Sequence, residues 1–305
     1  MKRNTLKLFA LSALAACGVF TKSANAAEPL PVVASFSILG DLVQVVGGDR
    51  VKVTTLAGSD ADAHEFAPSP ADAKAVLGAR MFVVNGLSFE PWAQKLAKSA
   101  GYKGETVVAS KGVKPRQMAA DAGHDHGHAE TDPHAWQNPL NVVQYVNNIA
   151  AGLAKADPSG AATYKANAEA YAKQLKDFDA QAKAQFDAIG RAQRKVITSH
   201  DAFGYLGARY GITLLSPEGV NTDSEPSAKH VAELIRQIKR EKIKAVFVEN
   251  MSNPKLMAQL SKDAGVSVGA TLYSDALSEA SGPASTYLKM MNHNLTQLVA
   301  GMKLN

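Results

Sequence analysis

The sequence predicts an α/β protein of two lobes, each with a four-stranded, mainly parallel sheet, joined by one long connector helix. Three observations carry this. Short apolar runs alternate with stretches of helical spacing in both halves of the chain, and that alternation builds parallel sheets covered on both faces. Between the halves, from Ser159 to about Ile189, lies a polar segment rich in Ala, Lys and Gln, with no Gly or Pro after Gly160. Such residues favour helix, and at about 1.5 Å per residue the segment reaches across a whole lobe. Finally, 305 residues suffice for two lobes or one large domain.

In chain order, residues 1–26 read as a signal peptide. Lys2, Arg3 and Lys7 precede an apolar run, Leu8 to Phe20, and Ala24-Asn25-Ala26 forms a cleavage signal. The apolar run is too short to span a bilayer comfortably. Leu14-Ala15-Ala16-Cys17 also reads as a lipobox, so the alternative is lipid anchoring through Cys17. Cys17 is the only cysteine; cleavage after Ala26 leaves no thiol for disulfides or thiolate metal sites. Loss of Lys2, Arg3, Lys7 and Lys22 leaves 29 cations against 28 acids, so net charge falls from +5 to +1. A nearly neutral mature chain gives no case for nucleic acid.

Val32–Phe36, Val51–Leu56, Met81–Gly86 and Thr106–Ser110 are the strands of an N-terminal lobe, residues 27–157. Helices are expected over Ser37–Val46, Ala71–Gly78, Pro91–Ala100 and Asn138–Lys155, with Gly47-Gly48 ending the first. A His-rich loop occupies 121–131, and the connector 158–191. The C-terminal lobe, 192–305, repeats the pattern: strands at Lys195–His200, 212–216, Ala245–Asn250 and Ser267–Leu272, helices at Ala202–Tyr210, Ser227–Glu241, Pro254–Asp263 and Ala284–Met302.

Gly123 to Trp136 holds four of the eight histidines: His124, His126, His128 and His134. Imidazole is the commonest protein ligand for first-row metals. The first three alternate with Gly and Asp, as a scavenging loop or a solvated linker would. His134 lies in Asp-Pro-His-Ala-Trp, where Pro133 fixes the backbone and Trp136 can pack. Ligands of open α/β sheets bind beyond the carboxyl ends of the strands. His64, His134, His200 and Asp275 all fall in such connections, two from each lobe. Any one of them alone reads better as a capping or hydrogen-bonded residue; their shared topological place makes them candidate metal ligands. Glu65 and Asp201, beside two of them, and Glu249 at a strand end are candidates to accept from the ligand imidazoles.

The stretches Asp62–Pro70, Asp132–Trp136, Ser199–Ile212, Val246–Asn250 and Thr271–Ser278 resemble the zinc and manganese solute-binding proteins of ABC transporters, cluster A-I. The resemblance covers essentially the whole mature chain. It implies two four-stranded lobes, a long helix between them, and a metal ion held in the cleft by His64, His134, His200 and Asp275. Manganese receptors of that family commonly place Glu at the third position, where this chain has His200. Three imidazoles and a carboxylate suit Zn²⁺, with Mn²⁺ or Fe²⁺ the alternative.

The expected function is therefore a monomeric periplasmic receptor, not an enzyme, delivering Zn²⁺ to an inner-membrane permease with a separate ATPase. The chain lacks G-x-x-x-x-G-K-[ST], so that route to nucleotide energy is closed to it. Affinity is expected to fall below about pH 6.5, where free imidazole protonates. The rivals are a zinc hydrolase, for which Asp275 would have to leave the metal an open position, and a metal-linked adhesin.

Overall fold

The computed structural model describes residues 28–117, 131–220, 222 and 226–305. The leader, with Cys17, and His124, His126 and His128 lie outside the described residues.

The first half is built on β1 (Leu30–Phe36), β2 (Val51–Ala57), β3 (Met81–Val84) and β4 (Glu105–Val108). All neighbours pair in parallel in the order β2-β1-β3-β4. Val32 to Phe36 are buried without interruption, as a central strand covered on both faces requires. The crossovers are α1 (Ser37–Gly47), α2 (Pro70–Gly78) and α3 (Pro91–Ser99). Local chemistry fixes their ends. Gly48, at φ +55°, closes α1 in a left-handed conformation that favours glycine. Ser69 and Asp72 form a reciprocal capping box at α2, with Pro70 inside it. A two-residue hairpin, β5 (Arg116–Gln117) against β6 (Thr131–Asp132), follows β4.

Helix α4 (Pro139–Ala156) begins at Asn138, whose side chain caps Leu140 N. Helix α5 (Ala161–Asp187) is the expected long helix, with 27 residues. At about 1.5 Å per residue it is about 40 Å long. Tyr164, Ala168, Tyr171, Leu175, Phe178, Ala182 and Phe186 form its buried stripe, at the spacing of one helical face. Its start is tied to the first half: Arg50 Nη2 meets Asp157 Oδ2 at 2.6 Å, and Asn167 Nδ2 donates to Val46 O. Its far end is tied to the second half, where Arg209 forks onto Asp179 and Tyr210 Oη donates to Asp179 Oδ1.

The second half contains β7 (Lys195–Ile197), α6 (Gly204–Tyr210), β8 (Thr213–Leu215), α7 (Ala228–Glu241), α8 (Pro254–Ala264) and α9 (Tyr287–Met302). Its sheet is less regular than the four full strands expected. Among the described residues of this half only β7 and β8 form a ladder; the expected strands Ala245–Asn250 and Ser267–Leu272 join through single parallel bridges, Ile197–Val246 and Glu249–Leu272. Asn305 accounts for part of this. The N–H groups of Lys244 and Ala245 donate to Asn305 Oδ1, not to a neighbouring strand. Phe247 packs onto the bare backbone of Gly269, where an added Cβ would fall 2.9 Å from the ring, so the strand at that point is pinned by a ring stacked on glycine. Parallel hydrogen bonds persist around these points, Phe247 N to Ile197 O and Leu272 N to Val248 O, both 2.9 Å.

Each sheet covers a local apolar cluster on its outer face, around Phe82 and Trp92 in the first half and around Leu234 and Ile238 in the second. A central cluster runs unbroken from Phe36 and Trp136 through α5 to Tyr287 and Leu298. The two halves therefore meet across packed side chains, and the loops at the carboxyl ends of both sheets face one another above that core.

Candidate metal centre

Those loops bring His64, His134, His200 and Asp275 together, with one donor atom from each within 4.8 Å of all the others. His64 follows β2, His134 the hairpin after β4, and His200 the end of β7; Asp275 follows the Leu272 bridge. His134, His200 and Asp275 are fully buried, and the His64 side chain is 5% exposed. His64 Nε2 lies 3.2 Å from His134 Nε2 and 3.3 Å from Asp275 Oδ2. Asp275 Oδ2 is 3.1 Å from His200 Nε2, and Asp275 Oδ1 3.6 Å from His134 Nε2. A tetrahedron with metal–nitrogen bonds of about 2.0–2.1 Å has edges of about 3.4 Å, so these four separations suit one first-row ion. Among the described residues Asp275 Oδ1 has no hydrogen-bond donor despite its burial, which leaves a lone pair free for a cation.

Local sequence sets each side chain. His64 and His134 both stand two residues after an Asp, in Asp62-Ala63-His64 and Asp132-Pro133-His134. In both, the Asp Oδ1 accepts from the histidine backbone N–H, at 2.8 and 3.0 Å, the turn that short carboxylates favour. Asp132 Oδ1 also accepts from His134 Nδ1 at 2.9 Å, which leaves Nε2 to face the cluster. Asn85 Nδ2 donates to Pro133 O, and Tyr145 Oη to Asn85 Oδ1, so this segment is held from behind. Phe36, Phe89 and Trp136 wall the site, with Phe89 4.5 Å from the His64 ring and Trp136 5.3 Å from His134.

Glu249 stands behind His200. Its Oε1 accepts from His200 N at 3.0 Å, and its Oε2 lies 2.7 Å from Nδ1, though off the line of a hydrogen bond. Asp275 is held by the opposite half: Trp136 Nε1 and Gln137 Nε2 both donate to Ser274 O, at 2.9 and 2.8 Å.

Of the three residues expected behind the imidazoles, Glu249 alone contacts one. Glu65 is exposed and makes no hydrogen bond to a site histidine among the described residues, because the turn that aims His64 inward points its successor out. The Asp201 backbone N–H donates to Gly219 O, and its side chain has no bond to an imidazole among the described residues. Asp132, not Asp201 or Glu65, is the second carboxylate, and the repeated Asp-x-His spacing was the signal for it.

The buried carboxylates and imidazoles of the site set one another's charge. Burial opposes charge on His134, but Asp275 and Asp132 outweigh it and its pKa is pushed up to about 9. Burial likewise opposes charge on His200, yet Glu249 and Asp275 hold its pKa well above the usual histidine value. Burial would raise Asp275, but His134 and His200 hold it well below the carboxylate range. Without metal the pocket therefore keeps protons on imidazole. A proton on Nε2 occupies the lone pair a metal needs. Apparent metal affinity should thus climb with pH, by up to about tenfold per unit for each proton displaced, and should still be climbing where His134 gives up its proton, at about 9. This moves the limit upward from the 6.5 of a free imidazole. Calorimetry in buffers of different ionisation enthalpy reads the proton count directly.

Glu249→Gln and Asp132→Asn should each weaken metal binding about 10- to 100-fold, the usual effect of removing a carboxylate behind a ligand imidazole. Competition with a chelating dye measures the loss.

Two α/β halves bridged by one long helix, with three imidazoles and a carboxylate buried where the halves meet, define a metal-ion receptor. The chain belongs to the family described as zinc-uptake complex component A, periplasmic, which it matches over residues 32–301. It is 34% identical to the manganese-binding lipoprotein MntA of Halalkalibacterium halodurans, over 94% of each chain. It is 32% identical to the iron-binding protein YfeA of Yersinia pestis, over 91% of this chain and 88% of that one. Among solved structures it resembles the periplasmic zinc-binding protein TroA of Treponema pallidum, with TM-score 0.83, 26% identity, and 90% and 99% of the two chains covered. The Mn-bound periplasmic metal-binding protein from Candidatus Liberibacter asiaticus superposes with TM-score 0.79 at 29% identity, covering 89% and 98%. The protein is thus a periplasmic metal-binding component of an ABC transporter, a system that works through a membrane permease and an ATPase. Members of the family are solute-binding proteins, not enzymes. No helix among the described residues is long and apolar enough to cross a membrane.

Proposed function

We propose that the protein is a zinc receptor that binds one Zn²⁺ through His64, His134, His200 and Asp275 and hands it, as a monomer, to its permease. The observation that carries this is the convergence of three buried Nε2 atoms and one carboxylate from loops of both halves. Three borderline nitrogens and one oxygen favour Zn²⁺ over Mn²⁺ or Fe²⁺ by ligand softness and by the Irving–Williams order. Asp275 beside the three histidines fills a four-coordinate shell, and hydrolytic zinc needs an open position there. The lobes are residues 27–157 and 192–305, with 158–191 as the strut; α5, tied at both ends, supports small tilts in preference to wide hinge opening. Export through residues 1–26 fits a periplasmic receptor, and the lipoprotein names of relatives favour lipid attachment at Cys17 as the alternative.

One observation favours a manganese or iron receptor as the second reading. Both Asp275 oxygens face the histidines, so the carboxylate can bind two-toothed and give a five-coordinate shell richer in oxygen, which harder ions prefer. MntA and YfeA, named for manganese and iron, agree with it. Titration of metal-stripped protein with Zn²⁺ and with Mn²⁺ separates the two. One site with the tighter affinity for Zn²⁺ is expected, and the metal found in protein taken from its native periplasm must also be zinc. Manganese or iron in that preparation overturns the zinc assignment.

A further inference from the structure

We propose that Arg116 is a positioning residue that couples the docking of the two halves to the grip of His134 on the metal. This rests on the reading of His134 as a ligand. Arg116 stands in β5, in the first half, and is 34% exposed. Its Nη1 donates to Asp132 Oδ2 at 3.0 Å, while the other oxygen of that buried carboxylate accepts from the N–H and Nδ1 of His134. Arg116 thus holds the group that orients His134.

The same arginine is pressed against the second half. Its backbone N–H donates to Tyr205 Oη at 2.8 Å, and Tyr205 lies on α6, the helix that follows His200. The guanidinium lies against the start of that helix: a Cβ on Gly204 would sit 2.2 Å from Arg116 Nη1 and 2.6 Å from Asp132 Oδ2. The glycine is needed for this approach and not for its own backbone, because its φ is not in the left-handed region. Any movement of α6 away from the hairpin gives the arginine room to swing, and the hold on the far oxygen of Asp132 then loosens. Opening of the halves would thereby slacken His134 before the metal leaves, without direct contact between α6 and the ion.

Two substitutions reach this contact from opposite sides. Arg116→Ala removes the guanidinium. Gly204→Ala keeps it but drives it off, and alanine suits a helix start on propensity grounds, so that variant should fold. The measurement is the rate of Zn²⁺ transfer from loaded protein to excess chelator by stopped flow, with denaturant unfolding of the metal-free protein alongside. Release should speed up about tenfold or more in Arg116→Ala, the lower end for disturbing groups behind a ligand. Gly204→Ala should change it in the same direction, and Arg116→Lys should restore part of the loss. A release rate within about twofold of the parent in both variants, far short of that expectation, overturns the proposal. So does a faster rate that tracks lost folding stability and is not restored by lysine. His134→Ala is the control: if it still binds Zn²⁺ tightly, the site assignment fails first, whereas lost binding there with unchanged release in Arg116→Ala removes only the role of Arg116.

Discussion

Replacing Asp275 with alanine should weaken Zn²⁺ binding by about a hundredfold or more. The free energy of a four-ligand zinc site is about 10–16 kcal/mol, so one ligand in four accounts for about 3 kcal/mol, and each 1.4 kcal/mol is about tenfold. Asp275 should exceed that share because among the described residues it is the one anion in direct contact with all three histidines. Without it, the dication would sit in a buried pocket among neutral imidazoles, and the nearest negative charges would be Asp132 and Glu249 behind the rings. Low-dielectric surroundings make such a loss expensive. Asp275→Asn, which keeps shape and one oxygen donor, should lose less than alanine does. Chelator competition ranks the three proteins; equal affinity of the parent and Asp275→Ala would remove Asp275 from the ligand set.

The largest stability loss is expected at Trp136, not at a ligand. Trp136 is fully buried, its ring packs on Phe36, Phe89 and His134, and its backbone carbonyl accepts from Tyr287 Oη at 2.7 Å. Trp136→Ala should destabilise the metal-free protein by about 3–5 kcal/mol, as deletion of a large core aromatic does. It should weaken metal binding as well, since Ser274, the neighbour of Asp275, loses one of its two donors from the opposite half. Trp136→Phe separates these effects. It retains most of the packing and removes the indole N–H while Gln137 still donates to Ser274 O, so its stability loss should be about 0.5–1.5 kcal/mol. Urea unfolding of the three proteins gives the stability order, and an alanine variant as stable as the parent would contradict the central packing described above.

Much of this architecture was legible in the sequence because its signals are local. The helix over Ala71–Gly78, the stop at Gly47-Gly48 and the long helix after Gly160 each rest on neighbours within a turn or two. The four side chains that meet at the site were visible because all follow apolar runs at the same end of their sheets. The raggedness of the second sheet was not visible. It depends in part on Asn305, at the far end of the chain, occupying the N–H groups of Lys244 and Ala245, a contact that no window of sequence contains. Glu65 was misjudged for a related reason: adjacency in sequence to His64 says nothing of direction once the turn at Asp62 is set. Asp132 was overlooked although Asp-x-His occurs twice, because the spacing reads as a turn until the distance to Nδ1 is known. The hold of Trp136 and Gln137 on Ser274 joins positions 138 and 137 residues apart, and only the fold brings them into contact.

The most direct test is a crystal structure of Zn²⁺-loaded protein with anomalous data at the zinc edge. One strong peak is expected about 2.0–2.2 Å from the Nε2 atoms of His64, His134 and His200 and from an Asp275 oxygen. A peak bound elsewhere, at His124, His126 and His128 for instance, with those four side chains free of metal, would contradict the account.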